Sequence, residues 1–129
     1  MLLRRFDPVA MKRAVARLPE YPAVLAPTPE GGLEVIFPNL PKVTAYGLGR
    51  DQALTAGREV LTAHLQIRLE QGDQPPRPSD PARLIPDDDE PAGTELVMIG
   101  PDRAAILRRL GLERPEPSRA LASLGRLGR

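Results

Sequence analysis

The run between Gly49 and Gly72 constrains the fold more than any other stretch. Ala53, Leu54, Gly57, Val60, Leu61, His64, Leu65 and Arg68 recur at i, i+3, i+4, i+7 spacing, and Gln52, Thr55, Glu59, Thr62, Gln66 and Glu70 fall largely outside that stripe. The pattern predicts a helix that lays one face on a sheet. Gly57 in its middle costs roughly 1 kcal/mol against alanine, a cost that a close approach to the sheet would offset. Gly72 stands where a left-handed C-cap belongs.

The residues before the helix supply the sheet. Tyr21, Ala23 and Leu25 alternate with Pro22, Val24 and Ala26; Leu33, Val35 and Phe37 alternate with Glu34, Ile36 and Pro38. Period-2 alternation of this composition predicts strands with one buried face. Pro29-Glu30-Gly31-Gly32 between them is a hairpin turn, because glycine accepts the positive φ such loops need. Pro22 lacks a backbone donor and is expected at the start of an edge strand. Val43 to Tyr46 is a third strand after a Pro-bounded loop, and Glu95 to Ile99 a fourth. Gly100-Pro101-Asp102 then opens a helix to Leu110, with Gly111 as its stop. The expected class is α+β, a β-β-β-α-β unit in which a three-stranded sheet plus a fourth strand carries one packed helix, followed by a short helical tail.

The order of these features resembles the HicB family of bacterial antitoxins. The resemblance rests on Tyr21-Pro22-Ala23, Glu30-Gly31-Gly32, Phe37-Pro38-Asn39-Leu40-Pro41, Gly47, Ala53-Leu54, Arg58-Glu59 and Pro75-Pro76-x-Pro78-Ser79. Three positions depart from the family pattern. Asn39 replaces an aspartate, Lys42-Val43 replaces a frequent Gly-Cys, and Gly49 to Gln52 replace a Thr followed by two acids, which weakens the helix N-cap. The resemblance implies a partial ribonuclease-H-like unit without the nuclease's catalytic carboxylates. It implies a protein partner, a small basic HicA-type toxin that cleaves messenger RNA. It also implies that a C-terminal helix-turn-helix or ribbon-helix-helix module would bind the operon's promoter. The expected function is therefore an antitoxin acting by protein–protein contact, with a DNA-binding repressor or an orphan module of the same fold as alternatives.

On strand alternation, Val24, Glu34, Ile36 and Thr44 share the sheet face opposite the helix, and these are the candidate toxin-binding residues. Net charge is +3 over residues 1–20, −5 over 21–90 and +3 over 91–129. An acidic middle suits docking onto a basic protein while basic ends attract phosphate; composition drift explains the same pattern equally well. Arg103, Arg108, Arg109 and Arg119 are the candidate nucleic-acid contacts. Ser118 to Gly125 resembles the second half of a helix-turn-helix, and the sequence ends four residues later, leaving no room for a recognition helix. Residues 100–129 thus read as a degenerate or truncated module, one that pairs subunits or contacts DNA.

Enzyme chemistry finds little footing. His64 is the only histidine and falls on the apolar stripe; Ser79, Ser118 and Ser123 lie in linker or tail. Glu34, Asp51, Glu59 and Glu70 are spread along the chain, where a two-metal nuclease needs converging acids. No cofactor or metal site is expected. With no cysteine there is neither a disulfide framework nor a thiolate zinc site. No apolar run is long enough to cross a bilayer, and Met1 to Arg5 is too short and charged for a signal peptide, so a cytoplasmic location is expected. Two Phe, two Tyr and no Trp predict an aliphatic core. So small a core points to a homodimer or higher oligomer.

The flanks read as attachments. Residues 1–20 form a solvated basic extension with a short helix capped by Asp7 and started by Pro8, and Met11 is an alternative start site. Residues 73–93 carry six prolines and the run Asp87-Asp88-Asp89-Glu90. They are expected to stay extended and unable to order themselves. The acidic run reads as a solvated loop, or else as a competitor for the toxin's RNA groove.

Overall fold

The computed structural model describes residues 7–84 and 90–112. In order, the elements are α1 (Pro8–Ala16), β1 (Tyr21–Pro27), β2 (Leu33–Ile36), β3 (Thr44–Gly47), α2 (Arg50–Glu70), a 3-10 turn (Pro81–Leu84), β4 (Glu95–Ile99) and α3 (Arg103–Arg109). The class is α+β, with a four-stranded sheet in the order β3-β2-β1-β4. Every neighbouring pair is antiparallel.

Local chemistry places each element. The β1–β2 turn uses Gly31 and Gly32 at φ of 89° and 91°, where other residues are strained. No side chain caps α2 at Gly49; instead the Leu48 N–H donates to Gln52 Oε1 at 3.2 Å, a displaced version of the capping box. At its other end Gly72 adopts φ 76°. The Asp73 N–H reaches the Arg68 carbonyl and the Gly72 N–H that of Leu69, a Schellman closure. A Cβ on Gly57 would lie 3.0 Å from Val35 Cγ1 and 3.2 Å from Ile99 Cδ1. The helix backbone therefore approaches the sheet closely there, as its cost required.

The core lies between α2 and the sheet. Tyr21, Ala23, Leu25, Val35 and Phe37 meet Ala53, Leu61 and Leu65, with Ile99 and Ile106 closing one side. Burying a Leu- or Phe-sized side chain contributes about 1.5–3 kcal/mol. The expectation of an aliphatic core needs adjustment, since Tyr21 and Phe37 are the largest fully buried side chains. The apolar stripe on α2 is also broader than its spacing indicated. Thr62 is buried, donating to the Arg58 carbonyl and accepting from the Asp102 N–H. His64 is half-buried at the flank. The reason is a second packing layer: α3 rests on α2 as well as on α1.

Three expectations change in the structure. Pro22 sits in β1, an interior strand. Over Tyr21–Ala23 only β4 is paired, since β2 joins from Val24 onward, so the missing N–H interrupts no rung. The stretch taken as a solvated extension does have Asp7 as cap and Pro8 in the first turn, but it also buries Val15 and Leu18 in the core.

The proline-rich stretch taken as unable to order itself is held by the domain over its first part. The Tyr21 hydroxyl donates to the Pro76 carbonyl at 2.6 Å, and Arg68 donates to that of Gln74 at 3.0 Å. Asn39 pairs with Ser79 twice, Nδ2 to Oγ at 2.8 Å and Oδ1 from the backbone N–H at 3.1 Å. Prolines cannot donate, so their carbonyls and the neighbouring groups take side-chain partners instead. Asp87, Asp88 and Asp89 lie outside the described residues.

Candidate protein-binding face

Gly57 faces Val35 and Ile99, so those side chains mark the helix side of the sheet. Residues one step away point to the other side. The pairing places Leu96 opposite Val24, Val24 opposite Ile36, and Ile36 opposite Thr44. These four form one straight row across all four strands. The next row holds Ala26, Glu34 and Tyr46. All four residues selected from sequence, Val24, Glu34, Ile36 and Thr44, thus share the face away from α2.

The face is apolar at its centre and polar at one corner. Val24, Ile36 and Leu96 are half-buried, and Glu34 and Thr44 are exposed. Tyr46 and Met98 are 47% and 43% exposed. Pro22 shares the face but is fully buried, so the surface opens toward Glu34, Thr44 and Tyr46. Tyr46 anchors that corner by donating its hydroxyl to the Gly31 carbonyl. Period-2 spacing already linked Tyr46 to Thr44; Leu96 and Met98 join only through the β1–β4 register. An apolar centre with a polar margin is the layout of a protein contact surface.

The ends of the sheet carry the local charges. Arg50 grips Glu95 in a two-pronged pair at 2.7 and 3.1 Å, fastening the start of α2 to the start of β4. The hydrogen bond from Arg50 holds the Glu95 carboxyl below its ordinary range. On α2, His64 Nε2 accepts from Arg68 Nε at 2.9 Å. Partial burial, and secondarily the Arg68 charge, lower the imidazole's pKa. Burial raises that of the Tyr21 hydroxyl, which stays protonated to donate to Pro76.

The candidate nucleic-acid contacts are not brought together as a set. The Arg103 guanidinium is half-buried and donates to the Leu18 carbonyl, tying α3 to the end of α1. Arg108 and Arg109 are exposed in the last turn of α3. Arg119 lies outside the described residues. Among the described residues no three His, Asp or Glu side chains are grouped as metal ligands, and no helix is long and apolar enough to cross a membrane.

No protein-family model and no curated protein sequence matches the chain. Solved structures do. The antitoxin HicB of Burkholderia pseudomallei superposes with a TM-score of 0.57 at 18% identity, over 84% of this chain and 96% of that one. A chain of the HicA3 and HicB3 toxin–antitoxin complex gives 0.52 at 25% identity, over 65% of this chain and 99% of that one. A chain of a toxin–antitoxin complex from Streptococcus pneumoniae gives 0.56 at 22% identity, over 78% and 76%. The fold is HicB-like, as the order of the sequence motifs implied.

Proposed function

We propose that this chain is an antitoxin that binds a small, basic, RNA-cleaving toxin of the HicA type and blocks its RNA site by surface contact. The observation that carries this reading is the row Leu96, Val24, Ile36 and Thr44, flanked by Glu34 and Tyr46. It is an apolar strip with an acidic corner on a HicB-like sheet, and its helices pack on the other side. Two of the similar structures come from toxin–antitoxin complexes, which supports the assignment of partner. Contact of this kind needs no reactive side chain, only shape, apolar area and a charge opposite to the toxin's. An RNA-cleaving partner puts the pair in the cytoplasm.

Co-expression with the product of the adjacent gene, which this reading expects to be a small basic protein, tests it. The two should co-purify, and the complex should leave RNA intact. Ile36→Asp should weaken the complex at least about tenfold, the loss typical of a central contact residue, with circular dichroism unchanged. A neighbouring product that fails to bind, or binding indifferent to changes at Val24 and Ile36, would remove the assignment. Autoregulation would add a second activity through the exposed Arg108 and Arg109. Preferential retention of its own promoter over random DNA at raised salt is the result it requires.

A further inference from the structure

β3 is an outer strand of the sheet: β2 lies against one side of it, and no described strand lies against the other. The register decides which of its backbone groups are left over. Pro22 opposes Met98 and has no N–H to donate, so the rungs from β1 to β4 fall at Tyr21, Ala23 and Leu25. The backbone groups of Val24 and Ala26 therefore turn to β2, and the Thr28 N–H, on the Gly32 carbonyl, continues that series. One strand further, the rungs from β2 to β3 fall at Val35–Ala45 and Leu33–Gly47. Thr44 and Tyr46 are left with backbone N–H and C=O groups facing outward, and both residues are exposed. Thr44–Gly47 holds neither a proline nor a charge, the usual protections of a bare edge.

A groove of about 410 Å³ runs beside this edge, between Tyr46 and Asp51, Gln52, Thr55, Ala56 and Glu59 of α2. Asp51 and Glu59 are exposed. Among the described residues neither is in an ion pair, and no residue lining the groove is cationic. On its other side the edge borders the open corner of the protein-binding face, because Thr44 and Tyr46 stand in register with Ile36 and Glu34.

We propose, resting on the antitoxin assignment, that the basic toxin adds an extended segment to β3 as a further strand, hydrogen-bonded to the outward groups of Thr44 and Tyr46. Neighbouring residues of paired strands share a side of the sheet. Every second residue of the added segment therefore lies on the side of Ala45 and Val35, the side of α2, and the rest lie on the side of Thr44 and Tyr46. The first set meets Asp51 and Glu59 and is lysine or arginine. The second set extends the strip of Val24 and Ile36 and is apolar. Main-chain bonds hold the segment, and its alternation of cation and apolar residue selects one toxin over another.

Calorimetric titration of the full chain with the adjacent-gene product tests this. Thr44→Pro removes an outward N–H and leaves the rungs to β2 intact, whereas Thr44→Val keeps that N–H. With circular dichroism unchanged, the proline variant should bind at least about tenfold more weakly and the valine variant close to wild type. Glu59→Lys should also weaken binding at least about tenfold and flatten its decline with salt. Amide exchange in the unaltered protein reads the same bonds. The Thr44 and Tyr46 N–H groups should slow when the toxin is added, and unchanged exchange overturns the proposal. Binding that falls with Ile36→Asp but ignores Thr44→Pro and Glu59→Lys overturns it too, and spares the face. No binding at all overturns both. A wild-type dimer that Thr44→Pro turns into a monomer in sedimentation gives the edge to a second copy, which again overturns the proposal.

Discussion

Asn39 offers Ser79 both a donor and an acceptor, and so binds a loop after β2 to the chain beyond α2. Removing both bonds with Asn39→Ala should cost about 1–2 kcal/mol, measured by urea denaturation. Asn39→Asp should cost less, because the Ser79 hydroxyl turns to donate to the carboxylate. In sequence, Asn39 was visible only as a departure from the family's aspartate; its partner is forty residues away. His64 gives a pH prediction. Its pKa in the folded protein lies below the ordinary 6.5, so the neutral ring is the form that folding favours. The resulting stability is present above the unfolded pKa and is lost as pH falls through the folded one. An NMR titration should place the His64 midpoint below that of an unfolded peptide, and urea midpoints should decline over the same acid range. A midpoint at or above the peptide's would mean that burial and Arg68 do not govern the ring.

At the scale of elements, α2 shows both the reach and the limit of periodicity. Its existence, its face and its Gly72 stop follow from spacing alone. Gly57 was legible as a cost in need of a reason, and Val35 and Ile99 provide it. Gly57→Val would push into both and should destabilise by about 1–3 kcal/mol, read from the denaturation midpoint. Spacing alone sets Thr62 on the solvent side, because an amphipathic pattern assumes one partner layer. The second layer, α3, arrives from forty residues downstream and takes the Thr62 hydroxyl as acceptor for its N-terminal Asp102. Pro22 departs from its expected edge position for a related reason. Its chemistry demands an unpaired side, and an interior strand whose neighbour starts two residues later provides one.

For the molecule as a whole, the domain is larger than its motif-bearing stretch. α1 contributes Val15 and Leu18 to the core, and Arg103 on α3 holds the end of that segment through the Leu18 carbonyl. A chain begun at Met11 would lose Asp7, whose carboxylate accepts from Val9 and Ala10. Loss of that cap and of the first turn should cost about 1–2 kcal/mol, measured on the truncated protein. Truncation without effect would show that α1 adds nothing through its first turn.

The sequence by itself determined the elements and the sides of the sheet. Alternation and helical spacing are local properties, so Val24, Glu34, Ile36 and Thr44 could be assigned to one face before any contact was known. What only the tertiary structure decided is which strands lie side by side and which segments fold back. It set β1 between β2 and β4, brought Leu96 into line with Val24, buried Thr62 and pinned Pro76 to Tyr21. Each of these is a meeting of residues far apart in the chain, held by packing and hydrogen bonds that no local period encodes.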